Sequence, residues 1–319
     1  MQVHRNIAQL PAFRNAVVTI GTFDGVHLGH CSIIDQMKSA ARAAGGETVI
    51  ITFHPHPRRI VGNAEQTVQL LSSLPEKIAL LRARGIDHLV VVPFTADFAA
   101  QTPDGYVTDF LVKYFQPHTL IIGYDHRFGK NRAGDFTLLE KYAAAGIFHL
   151  MEIPARVLEA ASVSSTRIRQ ALLKGEVQLA ASLLGYPYYF DGVVVKGNQL
   201  GRTIGYPTAN LQLTDNEKLI PGNGVYAVRV RRTDPASGDI CWYGGMMNIG
   251  VRPTVDGLSR VIEVHIFDFS EDIYGECLHV TLVTWLRAEK KFEGLPALVA
   301  QLRVDEEHAK TALGIAPSL

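Results

Sequence analysis

His27 and His30 stand three residues apart at the end of GTFDGVHLGH, residues 21–30. Two imidazoles behind a glycine-bearing turn can donate to phosphate oxygens and steady the charge that develops on them. Gly21 and Gly25 let the backbone approach a ligand closely. His30 falls at the start of a helical pattern carrying Ile33 and Ile34, where free N–H groups and the helix dipole attract anions. The stretch reads as a triphosphate cradle. It is not a P-loop, because no G-x-x-x-x-G-K-[ST] occurs and Asn131 follows Lys130 where a hydroxyl residue belongs. Two rival readings stay open. One is a histidine metal site shared with His54 and His56 of FHPHP, for which no orienting carboxylate can be located. The other is a capped turn with incidental histidines.

Further on, SVSSTRIR, residues 162–169, sets four hydroxyls, among them Ser164, Ser165 and Thr166, beside Arg167 and Arg169. Any one of its serines taken singly reads as a helix cap. In KGNQLGRTIGYPTANL, residues 196–211, Gly197, Gly201 and Gly205 are spaced four apart ahead of Thr208 and Asn210. This is either an irregular loop or a flap whose backbone meets phosphates, with a hydroxyl and an amide offering oxygen to Mg²⁺. Glu263 is a charge inside an apolar strand pattern, and alternation alone leaves its face open.

Two kinds of element have to position these groups. Through the first half, strand patterns at 17–20, 48–53, 88–94, 119–124 and 148–154 alternate with helical ones beginning at Ile33 and at 75–84, 106–115 and 136–145. That alternation predicts a doubly wound α/β parallel sheet with helices on both faces. GTFDGVHLGH, FHPHP, GYDHRFG and SVSSTRIR would then all lie at the carboxyl edge of the sheet, where open α/β sheets bind ligands. Two short helical patterns end at Gly185, a domain boundary. Beyond it, strands at 193–196, 225–230, 242–249, 261–269 and 278–285 predict an antiparallel meander or small barrel, closed by a terminal helix at 295–313.

The chain has 319 residues, 47% hydrophobic and 19% charged, enough for two globular domains of about 150 residues each. Lys plus Arg equals Asp plus Glu at 31, and no basic-aromatic stripe occurs, so neither nucleic acid nor an anionic membrane is an expected partner. MQVHRNIAQLPAFRN lacks a signal-peptide core, and no apolar run approaches the ~18 residues of a membrane span, so a cytoplasmic protein is expected. Cys31, Cys241 and Cys277, without C-x-x-C spacing, read as small apolar fillers.

GTFDGVHLGH, FHPHP, GYDHRFGKNRAGD and VSSTRIR together resemble the HxGH nucleotidylyltransferase domain of the bacterial bifunctional riboflavin kinase/FAD synthetases. That resemblance implies transfer of an adenylyl group without a covalent enzyme intermediate. His27, His30 and Arg167 would be catalytic. Gly21, Phe23, Asp24, Gly29, Ser164, Ser165, Thr166 and Arg169 would hold nucleotide and departing pyrophosphate, and His56 and Asp125 would line the flavin cleft. GYPTAN, GGMMNIGVRPTV, EVHIFDF with IYG after it, and LRAEKKF are similar to the flavokinase domain of the same family, in the right order. By that similarity Thr208 and Asn210 would bind Mg²⁺ and ATP, Glu263 would take the proton of the ribityl 5′-hydroxyl, Gly201 and Arg202 would meet phosphate, and Asn248 and Arg287 would meet flavin. The likeness runs from about Val17 to Leu313. Departures are Tyr206 for phenylalanine, Thr22 for asparagine and the Asp125-His126 pair, which bears on substrate preference. The implied organisation is an FMN adenylyltransferase at 1–185 and a riboflavin kinase at 186–319, with riboflavin, FMN and ATP as partners. It leaves the oligomeric state open.

Overall fold

The computed structural model describes residues 1–61, 69–123, 126–153, 163–197, 199–235, 237–254 and 257–315, with backbone alone for 253–254 and 257–259. Packing divides the chain into two compact units, Met1–Ser165 and Thr166–Leu319. In the first unit the Val- and Ile-rich runs become strands: β1 Gln2–His4, β2 Val17–Ile20, β3 Thr48–His54, β4 His88–Pro93, β5 Thr119–Gly123 and β6 His149–Ile153. They form one parallel sheet in the order β1-β4-β3-β2-β5-β6. The chain steps from β2 through β3 to β4 in one direction, then returns to place β5 and β6 on the other side of β2. The switch point therefore lies at the carboxyl ends of β2 and β5, where crevices of this architecture bind ligands.

Strand alternation sends side chains into two cores, one on each face. Val18, Ile20, Val49 and Ile122 pack with Tyr106, Phe110 and Leu139 on one side; Val17, Ile50, Leu89 and Ile121 pack with Ile34, Met37 and Leu81 on the other. The longer helices are α1 Leu28–Ala44, α2 Leu74–Ala83 and α3 Phe136–Ala144. The helix expected at 106–115 is present but wound as a π-helix over Tyr106–Val112. Tyr106, Val107, Phe110 and Leu111 all reach the core in this winding, so the apolar spacing alone could not tell the two helix types apart.

The second unit holds α4 Ser165–Leu173, α5 Val177–Leu184, β7 Tyr189–Val195, β8 Ala209–Leu213, β9 Gly224–Thr233, β10 Ile240–Thr254, β11 Gly257–Ile266, β12 Cys277–Arg287 and α6 Leu295–Leu313. The strands close into an antiparallel barrel in the order β10-β11-β8-β7-β12-β9. Strand β8, short and half polar, was not marked by periodicity, yet it supplies the pairing that closes the barrel between β7 and β11. Ala309 and Leu313 of α6 pack on Ala227, Met246 and Phe267 of the barrel wall. The packing boundary falls in the first turn of α4, after Ser165, rather than at Gly185. Gly222 N–H donates to the Leu172 carbonyl at 2.9 Å, a Cβ on Gly175 would strike the Trp285 ring, and Leu172, Ala180 and Leu184 are wholly buried. Of the three cysteines only Cys31 is a buried filler; Cys241 is half-buried and Cys277 exposed, and all three are free thiols.

Candidate active sites

Helix α1 begins directly at the end of the loop that leaves β2. His27 is its N-cap, and its Nδ1 accepts from the His30 N–H at 3.4 Å. That acceptor role places the proton of a neutral His27 on Nε2, as a donor for an incoming anion. The two imidazoles stack with centroids 3.7 Å apart, and Phe23 lies against His30 at 4.8 Å. Burial, with the His27 ring and the Lys77 ammonium adding to it, holds His30 well below the ordinary imidazole range. Its Nδ1 is buried without a hydrogen-bond partner. A Cβ on Gly29 would come within 3.2 Å of the His27 ring and 3.6 Å of the Val163 carbonyl, so glycine lets the imidazole lie flat over the helix start.

The loop is held in a conformation that residues with side chains rarely adopt. Phe23 and Val26 have φ of 46° and 37°, and a β-branched residue there is strained by about 1–3 kcal/mol. Asp24 secures it: the carboxylate, 1% exposed, accepts from Leu71 N–H at 2.9 Å and Ser72 N–H at 3.1 Å, while Gly25 N–H donates to Ser72 Oγ at 2.9 Å. Asp24 and Phe23 thus face inward and shape the cradle. A Cβ on Gly21 would meet the Phe23 ring at 3.2 Å, so Gly21 too serves the packing of the loop.

Ser165 Oγ donates to the Asp24 carbonyl at 3.2 Å, which ties the start of α4 to this loop. Thr166, Arg167 and Arg169 lie on the first turns of α4 and belong by packing to the second unit; Thr166, Arg167 and Ser164 are exposed. His56 sits past the end of β3, where its Nδ1 accepts from Arg58 N–H at 3.2 Å. Asp125 lies outside the described residues. Among the described residues no cluster of three His, Cys, Asp or Glu could hold a metal ion, so the histidine metal reading finds no support. Lys77 is the group sequence reasoning missed. In LPEKIALL it reads as a surface helix charge, but it is only 7% exposed, and burial pulls it from 10.5 down to about 8 although the Asp24 carboxylate opposes the shift.

The second cleft is a cavity of about 290 Å³ on the outer face of the barrel, and Gly201, Thr208, Asn248, Glu263 and Arg287 all line it. Glu263 stands directly opposite Asn248 on β10 and Asn210 on β8. Ile262 and Val264 fill the barrel interior, so alternation turns Glu263 outward into the cavity, with 17% of its side chain exposed. Arg252 Nη2 donates to both Glu263 oxygens, at 2.9 and 2.8 Å. His265 Nδ1–H donates to the Pro207 carbonyl at 2.8 Å and fixes the segment bearing Thr208.

Thr208 also lines a neighbouring cavity with Arg202, Phe269 and Tyr274, so its hydroxyl stands on the wall between two spaces. Arg287 lines the first cavity, but its guanidinium is committed: Nε and Nη2 donate to the buried Asp305 carboxylate at 2.8 and 2.6 Å and Nη1 to the Ala288 carbonyl. Gly201 serves its own loop, since a Cβ there would collide with the Tyr206 carbonyl.

A family model described as FAD synthetase matches residues 10–167, and one described as riboflavin kinase matches residues 184–313. The bifunctional riboflavin kinase/FMN adenylyltransferase of Listeria monocytogenes is 39% identical over 297 residues, covering 93% of this chain and 92% of that protein. The protein of the same name from Escherichia coli K12 is 37% identical over 310 residues, covering 97% and 96%. A crystal structure described as a macrolide-efflux protein from Streptococcus pneumoniae is similar with a TM-score of 0.83 at 32% identity, covering 97% of this chain and 98% of that one. Among the described residues here, no helix is long and apolar enough to cross a membrane.

Proposed function

Because the chain belongs to the bifunctional riboflavin kinase/FMN adenylyltransferase family, we propose that its two clefts divide that family's work, each through the residues gathered in it. The chain phosphorylates riboflavin with ATP to give FMN, and adenylylates FMN with a second ATP to give FAD. In the reading put forward here, residues 1–185 carry the adenylyl transfer and 186–319 the phosphorylation. Helices α4 and α5 then belong to the first in function and to the second in packing.

In adenylyl transfer an FMN phosphate oxygen attacks the α-phosphorus in line, the bond to the β-phosphate bridge breaks, and pyrophosphate leaves. No protein nucleophile is required; positioning and charge neutralisation supply the catalysis. His27 Nε2–H and the exposed N–H groups of the first turn of α1 donate to the phosphates. His30, which burial keeps neutral, gains a partner for its buried nitrogen. Ser164, Ser165, Thr166, Arg167 and Arg169 hold the nucleotide and the departing pyrophosphate, and His56 and Asp125 the flavin side. The stacked His27–His30 pair at the switch point is the observation that carries this assignment.

In phosphorylation Glu263 accepts the proton of the ribityl 5′-hydroxyl while its oxygen attacks the γ-phosphorus and ADP departs. Asn248 and Arg287 border the flavin, and Gly201 and Arg202 border the phosphates. Mg²⁺ fits Thr208 and Asn210: neither side chain has a hydrogen-bond partner among the described residues, and both offer oxygen. A cation that keeps waters and takes phosphate ligands needs little more from the protein, and when bound it neutralises developing charge. The chain is read as cytoplasmic because both reactions draw on ATP.

The test is to incubate protein with riboflavin, ATP and Mg²⁺ and to separate flavins over time. Glu263→Ala should slow FMN formation by about 10² to 10⁴ yet still convert added FMN to FAD. His27→Ala should stop at FMN. A variant that fails in both steps, or in neither, would refute the assignment.

A further inference from the structure

We infer that Arg252 is a further catalytic residue of riboflavin phosphorylation: with one edge it orients Glu263, and with the other it grips the phosphoryl group in flight. The inference rests on the reading of Glu263 as the base.

Arg252 and Asn248 share strand β10 at even spacing, and Glu263 faces Asn248 across the ladder, so all three present to one cavity. Nη2 of Arg252 reaches both carboxylate oxygens. Its Nη1 and Nε have no hydrogen-bond partner among the described residues, and 38% of its side chain is exposed. A guanidinium presents five donors in a planar fork suited to phosphate, so Glu263 engages only part of it. Arg287, the other arginine of the cavity, is already closed off by Asp305 and the Ala288 carbonyl. Gly250, between Asn248 and Arg252, helps keep the approach clear, since a Cβ there would strike the Glu289 carboxylate.

Chemistry then fixes where the phosphoryl group must come. The hydroxyl that gives its proton to Glu263 lies about 2.6–3.2 Å from the carboxylate. The phosphorus it attacks lies about 3–3.5 Å beyond that oxygen. Any γ-phosphoryl placed for attack therefore comes within the span of a guanidinium already touching the carboxylate. On the other side of Glu263, β8 sets Asn210 opposite it in the ladder, and Thr208, just before β8, lines the same cavity. In the step itself the 5′-oxygen bonds to the γ-phosphorus and the bond from that phosphorus to the β,γ-bridging oxygen breaks. The hydroxyl proton passes to Glu263, and ADP leaves with the bridging electron pair. Negative charge on the equatorial oxygens is what Nη1 and Nε of Arg252 meet. Since that charge is spread differently in the transition state than in bound ATP, the contact works mainly on turnover.

The experiment measures ADP released from riboflavin, ATP and Mg²⁺ by the full chain, as kcat and KM for each substrate, in wild type, Arg252→Ala, Arg252→Lys and Glu263→Ala. Arg252→Ala should lower kcat by about 10²- to 10³-fold. Both KM values should stay within about twofold, as expected of a group acting in the transition state. Arg252→Lys should recover only part of the rate, and added guanidinium ion should restore Arg252→Ala saturably at concentrations far below denaturing ones. Two results would overturn the inference: Arg252→Ala turning over at the wild-type rate, or a loss matched by a raised riboflavin KM and indifferent to guanidinium, which is the mark of a packing role. Glu263→Ala keeping its rate would remove the base reading and this inference together. An impaired Glu263→Ala beside an unimpaired Arg252→Ala would remove this inference alone.

Discussion

At the scale of single residues, the first unit contains a charge beside the Asp24 loop that the folded protein holds at a cost. Lys77 is buried, has no hydrogen-bond partner for its ammonium among the described residues, and titrates at about 8 instead of 10.5. That displacement corresponds to about 3 kcal/mol against the folded state wherever the lysine is charged in both states. The sign follows from proton counting. Between pH 8 and 10.5 the unfolded chain binds the proton and the native chain does not, so stability rises with pH through that window and the full cost is present below it. Lys77→Met should therefore stabilise the chain by about 3 kcal/mol in urea unfolding at pH 7, with the gain fading toward pH 10. A gain independent of pH would show that packing, not desolvation, was relieved. His30 acts in the same sense at lower pH: its native value lies below 6.5, so acid below that point draws protons to the unfolded chain and weakens the fold.

At the scale of elements, the first cleft depends on how α1 starts. The helix has no acidic residue in its first turn, His27 as its cap, and Gly29 beneath the His27 ring. The stacked imidazoles fill the space above, so a methyl group on Gly29 would push His27 aside rather than find room. Gly29→Ala should leave the melting temperature nearly unchanged, since alanine favours helices, yet lower FMN adenylylation by about 10²-fold through misplacement of the donor. ADP release from riboflavin, which uses the barrel, should stay at the wild-type rate. Equal loss of both activities would show that the helix start matters to the fold instead. In the barrel, β8 plays the corresponding part: its pairing with β11 sets Asn210 against Glu263 in a single register.

At the scale of the whole molecule, the packing boundary falls at the end of the FAD synthetase match and well before the riboflavin kinase match begins. The FAD synthetase match ends at residue 167 and the riboflavin kinase match begins at 184, whereas α4 and α5 pack with the barrel. Leu172, Ala180 and Leu184 are buried there, so removing both helices exposes apolar barrel surface at about 25 cal/mol per Å². A fragment of residues 166–319 should melt higher than one of 186–319 by several degrees, while both release ADP from riboflavin. Identical melting curves would place the two helices outside the stable unit.

Much of this was legible in the sequence. Hydrophobic periodicity marked five of the six strands of the parallel sheet, and the HxGH, GYPTAN and EVHIF stretches marked both clefts, because glycines, histidines and a lone carboxylate in an apolar run are chemically conspicuous. Periodicity did not reveal β1 and β8, whose stability comes from pairing rather than from an alternating pattern of their own. Nor could it separate Asp24 and Phe23, which brace the loop from within, from His27 and His30, which line it. Lys77 and Arg252 look like ordinary surface charges along the chain, and Arg287 like a free one. Burial, an ion partner and a neighbouring carboxylate decide their roles, and each of these is a relation between residues distant in sequence, set only when the sheet stacks its helices and the barrel closes.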